Sequence, residues 1–279
     1  MIVQKTACLD LAAIADSGQC FRWKREGEGY RVIALGKVLH AWQKPGKDAL
    51  YLDCSQQDFD SVWKNYLDLD TDYPSIIAAV PPEDVYLRAA AEYGQGIRIL
   101  RQEPWETLIT FILSQRKNIP AIKQAVEKLC AAAGQVIGEE NGEPLFAFPT
   151  PSEILGIGLE RLQSCGLGYR APYIYQTAEA FFQGTFCIHD LEALDDEALF
   201  EALCSLYGVG RKIAHCAMLF GFHRMNAFPV DVWMDRVWKN RYPDGIPIAR
   251  YAPWAGVMQQ YMFAYERYLA GRGTWKQTV

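Results

Sequence analysis

The chain has 279 residues, 50% of them hydrophobic and 22% charged, which is enough to bury a full core as one large domain or two smaller ones and unlike a disordered or fibrous chain. A formal net charge of -5 with a pI near 5.5 argues against a protein that coats nucleic acid through its overall charge, so any contact with phosphate must come from local Lys and Arg clusters. Eight cysteines, at positions 8, 20, 54, 130, 165, 187, 204 and 216, include no CxxC pair and no metal-ligand spacing, and read as reduced core thiols.

The amino terminus lacks a basic-then-apolar leader, since Asp10 and Asp16 flank an apolar run of only Leu11 to Ala15, and no stretch is long enough for a membrane span. Phe21-Arg22-Trp23, Tyr30 to Leu35, Val38 to Gln43 and Leu50 to Asp53 alternate or carry β-formers. They are separated by turn-rich Arg25 to Gly29, Gly36-Lys37 and Pro45-Gly46-Lys47, and predict an antiparallel sheet. From Gln57 a helical period takes over, with Phe59, Val62, Trp63 and Tyr66 on one face and Pro74, Pro81-Pro82 and Pro104 at helix boundaries. No internal repeat or low-complexity tract appears.

The helix expected from Trp105 to Gln115 is apolar through Leu113 and then turns polar and basic at Ser114-Gln115-Arg116-Lys117-Asn118, a buried helix ending in a cluster that can enter a duplex. A second loop follows at Leu167-Gly168-Tyr169-Arg170-Ala171. The segment from Leu199 to Trp233 is the centre of the chain. An apolar-periodic run to Leu206 stops at Tyr207-Gly208-Val209-Gly210, and a new helix begins at once with Ile213, Ala214, Ala217 and Met218. Two glycines in three residues allow a tight turn that leaves N–H groups at a helix start, where a phosphate can sit.

Lys212 falls in the first turn of that helix, where the positive helix end and neighbouring Arg211 favour a neutral, nucleophilic amine. Asp231, after Pro229-Val230, stands at the N-cap of the next helix, whose N–H groups are expected to hold it ionised. A nucleophilic amine and a fixed carboxylate suit cleavage at an acetal-like carbon through an oxocarbenium-like centre. Spacing alone leaves alternatives open: a lysine beside a glycine turn is often merely solvated, an aspartate starting a helix is often only a cap, and a glycine hairpin can bind DNA without catalysis. In the last helix, from about Pro253 to Leu269, Met258, Met262, Tyr265 and Leu269 form an apolar stripe, and Gln259 and Phe263 fall on the neighbouring stripe with Glu266. An amide beside an off-core aromatic suits pairing with and stacking on a base.

At these residues the chain resembles the helix-hairpin-helix DNA glycosylases, and among them the 8-oxoguanine DNA glycosylase/lyase family, in which a lysine follows the Gly-Val-Gly hairpin and an aspartate follows a Pro-Val pair. The resemblance implies an α+β fold, with an antiparallel sheet domain at 1–80 packed on a mainly α-helical helix-hairpin-helix core at 81–279, the last helix packing back on the first part. It implies that Lys212 attacks the sugar C1′, expels the base, forms a Schiff base and permits β-elimination, while Asp231 steadies the cationic sugar. Ser17-Gly18-Gln19-Cys20-Phe21-Arg22-Trp23 resembles the stretch whose glycine carbonyl meets the lesion: 8-oxoguanine carries a hydrogen at N7 where guanine has an acceptor, so one carbonyl at Gly18 tells them apart.

The resemblance further implies base contacts at Gln259, Phe263 and Cys216, phosphate contacts at Gly208, Val209 and Gly210, a wedge at Tyr169 and an orphan-base contact at Arg170. Arg116, Lys117 and Asn118 stand where the family has an asparagine-rich gap filler, of which only Asn118 matches. Ala121, after Pro120, replaces the arginine that reads the opposite cytosine, and Trp233 replaces a phosphate-contacting histidine. The family's hairpin carbonyls, here of Cys204, Leu206 and Val209, can hold a cation; no cofactor is otherwise expected. The iron–sulfur loop of related endonuclease III-like enzymes is absent, because no cysteine follows Cys216. The histidines, His40, His189, His215 and His223, show no metal-site spacing, and no GxSxG elbow occurs.

The expected function is base-excision repair by a bifunctional glycosylase and abasic-site lyase, acting on damaged duplex DNA as a monomer and located in the cytoplasm at the nucleoid or wherever the DNA is. The other readings are a helix-hairpin-helix glycosylase of different base specificity, against which Lys212 argues, and a noncatalytic DNA-binding module.

Overall fold

The structure, a computed structural model, describes residues 1–44 and 48–271, so the expected turn at Pro45-Gly46-Lys47 lies outside the described residues. An antiparallel sheet in the order β1-β5-β4-β3-β2 is built from β1 (Ile2–Lys5), β2 (Trp23–Glu26), β3 (Gly29–Ala34), β4 (Lys37–Gln43) and β5 (Ala49–Asp53), with α1 (Leu11–Asp16) packed on it. The alternation that marked strands in the sequence sends Val32, Leu39, Ala41, Leu50 and Leu52 into the sheet core. Two boundaries move. β2 begins at Trp23 and runs to Glu26, so only Gly27 and Glu28 turn, and the next turn is Leu35-Gly36, both at positive φ, rather than Gly36-Lys37. β1 and α1 have no counterpart in the sequence reading. β1 is a short edge strand whose order comes from pairing with the distant β5, and α1 is a six-residue helix held by the Asp10 side chain on the N–H groups of Ala12 and Ala13.

A nearly continuous helical stretch follows, α2 (Gln56–Asp58), a π-turn at Phe59–Trp63 and α3 (Lys64–Tyr66), and it completes the sheet core through Phe59, Trp63, Tyr66 and Leu67. The second core is helical: α4 (Tyr73–Ala78), α5 (Val85–Gly94), α6 (Pro104–Ser114), α7 (Ile119–Ala133), α8 (Pro151–Leu162), α9 (Arg170–Phe182), α10 (Ile188–Glu192), α11 (Asp196–Ser205), α12 (Arg211–Phe220), α13 (Val232–Arg241) and α14 (Ala255–Leu269). Tyr73, Ile76 and Val80 pack in this helical core, whereas Leu100 packs with the sheet. Pro104 does start a helix, capped by the Glu103 carboxylate.

A hairpin, β6 (Val136–Glu140) and β7 (Glu143–Phe146), interrupts the helices between α7 and α8. The sequence carried its signal, Asn141-Gly142, both at positive φ in the turn, the pair that best fits a tight hairpin. The last helix returns to the beginning of the chain, since Arg267 on α14 donates to the Asp16 carbonyl at 2.5 Å and lies 3.2 Å from its carboxylate. Among the described residues no helix is long and apolar enough to cross a membrane.

Candidate active site

The hairpin between α11 and α12 is tight for a physical reason. Gly208 has φ +83°, and a Cβ there would lie 2.3 Å from the Tyr173 ring, so both backbone freedom and close approach demand glycine. Gly210 caps α12 without any side chain, and no acidic residue occupies the first turn, so the helix offers its leading N–H groups outward. Val209 between them is buried and anchors the turn.

Lys212, one residue into α12, and Asp231, the N-cap of α13, line one cavity of about 370 Å³. The Lys212 amine sits 4.9 Å above the Phe111 ring, which stacks in turn on Phe220 at 5.5 Å. Asp231 accepts from the N–H groups of Trp233 and Met234, each at 3.0 Å. These bonds and Lys212 favour the ionised form, yet burial outweighs them and pushes the Asp231 carboxyl above its ordinary value. The helix N–H groups act toward the ionised form as the sequence leads one to expect, and burial, which the sequence does not show, acts against them. Cys216, one turn beyond Lys212, is fully buried in the same cavity and touches the lysine; burial raises its thiol, with Lys212 acting in the opposite direction.

Two further parts of the chain, the turn at Gly18 and α14, close the cavity. Gly18, at φ +76°, presents its backbone directly to Phe263, and Gln259 lies one turn earlier on α14. The Gly18 turn is held by Gln19, whose buried side chain donates to the Arg98 carbonyl at 2.8 Å and accepts from the Leu100 N–H at 2.8 Å. Arg267 places its guanidinium 5.3 Å from the Phe263 ring while gripping Asp16. Sequence reasoning did not single out Phe111, Gln260 or Arg267, all of which line the cavity. The α14 stripe also needs amendment: Met258 and Met262 are buried, but Leu269 is exposed and Tyr265 half-buried, while Glu266 is buried beside Arg241 at 3.7 Å and the Tyr86 hydroxyl at 3.0 Å.

The loops expected to face DNA are tied together by a residue the sequence did not mark. Gln115 donates its side-chain amide to the Gly208 carbonyl at 3.1 Å, and its own carbonyl accepts from Arg170. Arg170 is consequently buried against the Tyr169 ring, 4.3 Å away, and also donates to the Leu167 carbonyl. Its expected projection toward an orphaned base is not what the structure places, because two carbonyls and an aromatic face take up the guanidinium. Tyr169 itself is 46% exposed. Arg116, at φ +52°, is exposed; Lys117 is half-buried and lines the cavity instead of only solvating a helix end. Asn118 caps α7 by accepting from the Ala121 N–H at 3.0 Å. Trp233 borders the cavity with Arg236 stacked on it at 4.7 Å.

Cys204, Leu206 and Val209 flank the hairpin, and the Leu206 carbonyl accepts from the Val209 N–H at 3.0 Å. All eight cysteines are free, and Cys187 is exposed rather than a core thiol. Away from the cavity, His40 lies 3.4 Å from Glu140 on the β6–β7 hairpin and 4.0 Å from Glu26, an arrangement the histidine spacing did not suggest. Arg31 bridges both carboxylates at 3.1 and 3.0 Å, so the cluster is an ion-pair clasp between sheet and hairpin.

Comparison with known proteins agrees with this geometry. Residues 1–108 match the family model of the 8-oxoguanine DNA glycosylase N-terminal domain, and residues 109–243 match that of the HhH-GPD superfamily base excision DNA repair proteins. An N-glycosylase/DNA lyase of Saccharomyces cerevisiae is 32% identical over 260 residues, covering 84% of this chain and 68% of that one. The structure of MBOgg1 bound to a low-affinity DNA ligand superposes with a TM-score of 0.91 at 34% identity, over 96% of each chain. The 8-oxoguanine glycosylase/lyase of Clostridium acetobutylicum, bound to double-stranded DNA containing cytosine opposite 8-oxoG, superposes with a TM-score of 0.88 at 32% identity, over 96% of this chain and 98% of that one. The chain belongs to the 8-oxoguanine DNA glycosylase family of the helix-hairpin-helix base-excision repair proteins.

Proposed function

We propose that Lys212 and Asp231 carry the chemistry of this family in this chain, the removal of 8-oxoguanine from duplex DNA followed by cleavage at the abasic site. The chain is a DNA glycosylase and abasic-site lyase of base-excision repair. The observation that supports the residue assignment is that one cavity holds an amine, a carboxylate, an amide and an aromatic ring, with a glycine backbone against that ring.

A flipped nucleotide stacks its base on Phe263, with Gln259 on its Watson–Crick edge and the Gly18 carbonyl accepting the N7–H that guanine lacks. The Lys212 amine attacks C1′ and gives up a proton, and the bond to the base breaks with its electron pair leaving on the base, which takes up a proton. Ionised Asp231 stabilises the positive charge that develops on the sugar. Ring opening gives a Schiff base on Lys212; loss of a C2′ proton then breaks the C3′–O bond, and water releases the lysine.

Gly208, Val209 and Gly210 offer backbone N–H groups to phosphate downstream of the lesion, with a monovalent cation on the hairpin carbonyls as a further grip. Tyr169, with Arg116, Lys117 and Asn118 across from it, fills the space left in the duplex, and Arg170 serves by fixing Tyr169. All these groups come from one chain, so the active unit is a monomer, acting where the genomic DNA is.

The test is a cleavage panel with 8-oxoguanine opposite each of the four bases, with and without borohydride. Covalent trapping that requires the lesion is expected; cleavage without any trappable complex would reject the lysine mechanism.

A further inference from the structure

The hairpin carries an exposed aromatic side chain to which the catalytic reading gives no task. Tyr207, the residue before Gly208, is 56% exposed, and its ring meets that of Tyr173 edge to face, with centroids 4.9 Å apart and planes at 88°. Tyr169 meets the same ring at 5.8 Å and 71°. Tyr173, one turn along α9 from Tyr169, is half-buried and packs against the helical core, and the close approach of Gly208 seats the hairpin backbone on its ring. Two exposed rings stand on one half-buried root.

An isolated tyrosine on a surface is ordinary. Tyr207 differs in being held: Tyr173 sets the angle of its ring, and Gln115 steadies the turn behind it by donating to the Gly208 carbonyl at 3.1 Å. A side chain ordered in advance loses little conformational freedom when a partner covers it. The kind of partner follows from the position. A strand whose phosphate sits on the N–H groups at the start of α12 passes the residue just before the turn, and beside each phosphate it presents the apolar C–H surface of a deoxyribose.

We propose that Tyr207 is a DNA-binding residue whose ring packs on the deoxyribose next to the phosphate gripped by the hairpin, while Tyr169 enters the stack. The assignment rests on the cavity being the seat of a flipped nucleotide. Tyr173 is then a positioning residue, which spaces the two rings as prongs of one fork. The Tyr207 contact is apolar and reads no base. It adds affinity for damaged and undamaged duplexes alike, and adds nothing to the salt dependence that neutralised phosphates produce.

The test uses a duplex with a tetrahydrofuran abasic-site analogue, which lacks the C1′ hydroxyl and so forms no Schiff base. Hydroxyl radicals cut DNA by taking hydrogen from exposed sugars, so a footprint reports each deoxyribose in turn. The unmodified protein is expected to protect the sugar adjoining the hairpin phosphate, and Tyr207→Ala to expose that sugar again with the rest of the footprint kept. Affinity is expected to fall about 3- to 10-fold, the scale of one aromatic contact, at an unchanged slope of log Kd against log salt. Tyr207→Phe keeps the ring and is expected to bind within about twofold of the unmodified protein. An unchanged footprint and affinity in Tyr207→Ala overturn the inference, and a lowered melting temperature alongside them shows that the ring only covers Tyr173. A weaker complex with a shallower salt slope overturns it as well, since lost phosphate contacts then account for the effect. If the unmodified protein forms no borohydride-trapped complex with 8-oxoguanine duplex, the catalytic reading fails and this assignment fails with it.

Discussion

Gly18 and Phe263, from opposite ends of the chain, meet at the cavity, where a Cβ built on Gly18 would lie 3.5 Å from the Phe263 ring. That distance is ordinary van der Waals contact, so sterics alone do not forbid a methyl group there. The φ of +76° does disfavour one. Gly18→Ala is expected to lower stability by about 1–2 kcal/mol in thermal or denaturant unfolding. It is also expected to reduce lesion affinity in a gel shift more than affinity for undamaged duplex.

Lys212→Gln keeps the length and polarity of the side chain over Phe111 but has no nucleophilic amine. Loss of borohydride trapping and a fall in strand cleavage on the order of 10³-fold or more are expected, as for removal of other covalent nucleophiles. Trapping that survives the change would assign the nucleophile elsewhere.

Asp231→Asn separates charge from shape, since an amide oxygen can still cap α13 at Trp233 and Met234. Base release is expected to slow by about 10²- to 10³-fold with DNA binding largely spared. Stability should move the other way. Because burial raises the carboxyl in the folded state, its contribution to stability is greatest in acid and is lost as pH rises through the folded value. The neutral amide is therefore expected to melt higher than the unmodified protein at pH 8, with the difference shrinking toward pH 4; calorimetry across that range checks it. In the unmodified enzyme, base release should fall on acidification at a higher pH than an ordinary aspartate would give.

Glu106 supplies a second pH signature, distant in origin from the chemistry. Burial, reinforced by the nearby Glu103 and Glu127 and opposed by Arg22, pushes its carboxyl up to about 7. A raised folded value again means stability present in acid and lost as pH rises, here through about 7. Glu106→Gln should flatten the dependence of the melting temperature between pH 5 and pH 8, and a slope unchanged from the unmodified protein would refute the assignment.

Gly208→Ala would drive a methyl group into the Tyr173 ring at 2.3 Å and strain a φ of +83°. A loss of about 2–4 kcal/mol is expected, the sum of overpacking and left-handed backbone strain. Affinity should fall alike for damaged and undamaged duplexes if the hairpin's proposed contact is with phosphate, which carries no base information.

Much of the site could be read in one dimension. The hairpin, Lys212 and Asp231 depend on turn chemistry and helix starts, which are encoded within a few residues of one another, and α11, α12 and α13 start at the caps Asp195, Gly210 and Asp231. Gln259 and Phe263 followed from a helical period together with the family resemblance. The β6–β7 hairpin was also legible, through Asn141-Gly142, but was masked by the helical segments on either side. β1 could not be recognised locally, because an edge strand of four residues takes its order from β5.

The sequence by itself placed a lysine after a glycine turn and an aspartate at a helix start, and the family resemblance at those residues, not their spacing, indicated the reaction class. Only the tertiary structure decided how those groups behave. Burial raised Asp231 against its own helix N–H groups, the Gln115 carbonyl took up Arg170, and Arg267 joined Asp16 near the start of the chain to the Phe263 ring near its end. Desolvation and hydrogen bonding between segments far apart in the chain depend on which surfaces meet, and no pattern along one stretch of residues records that.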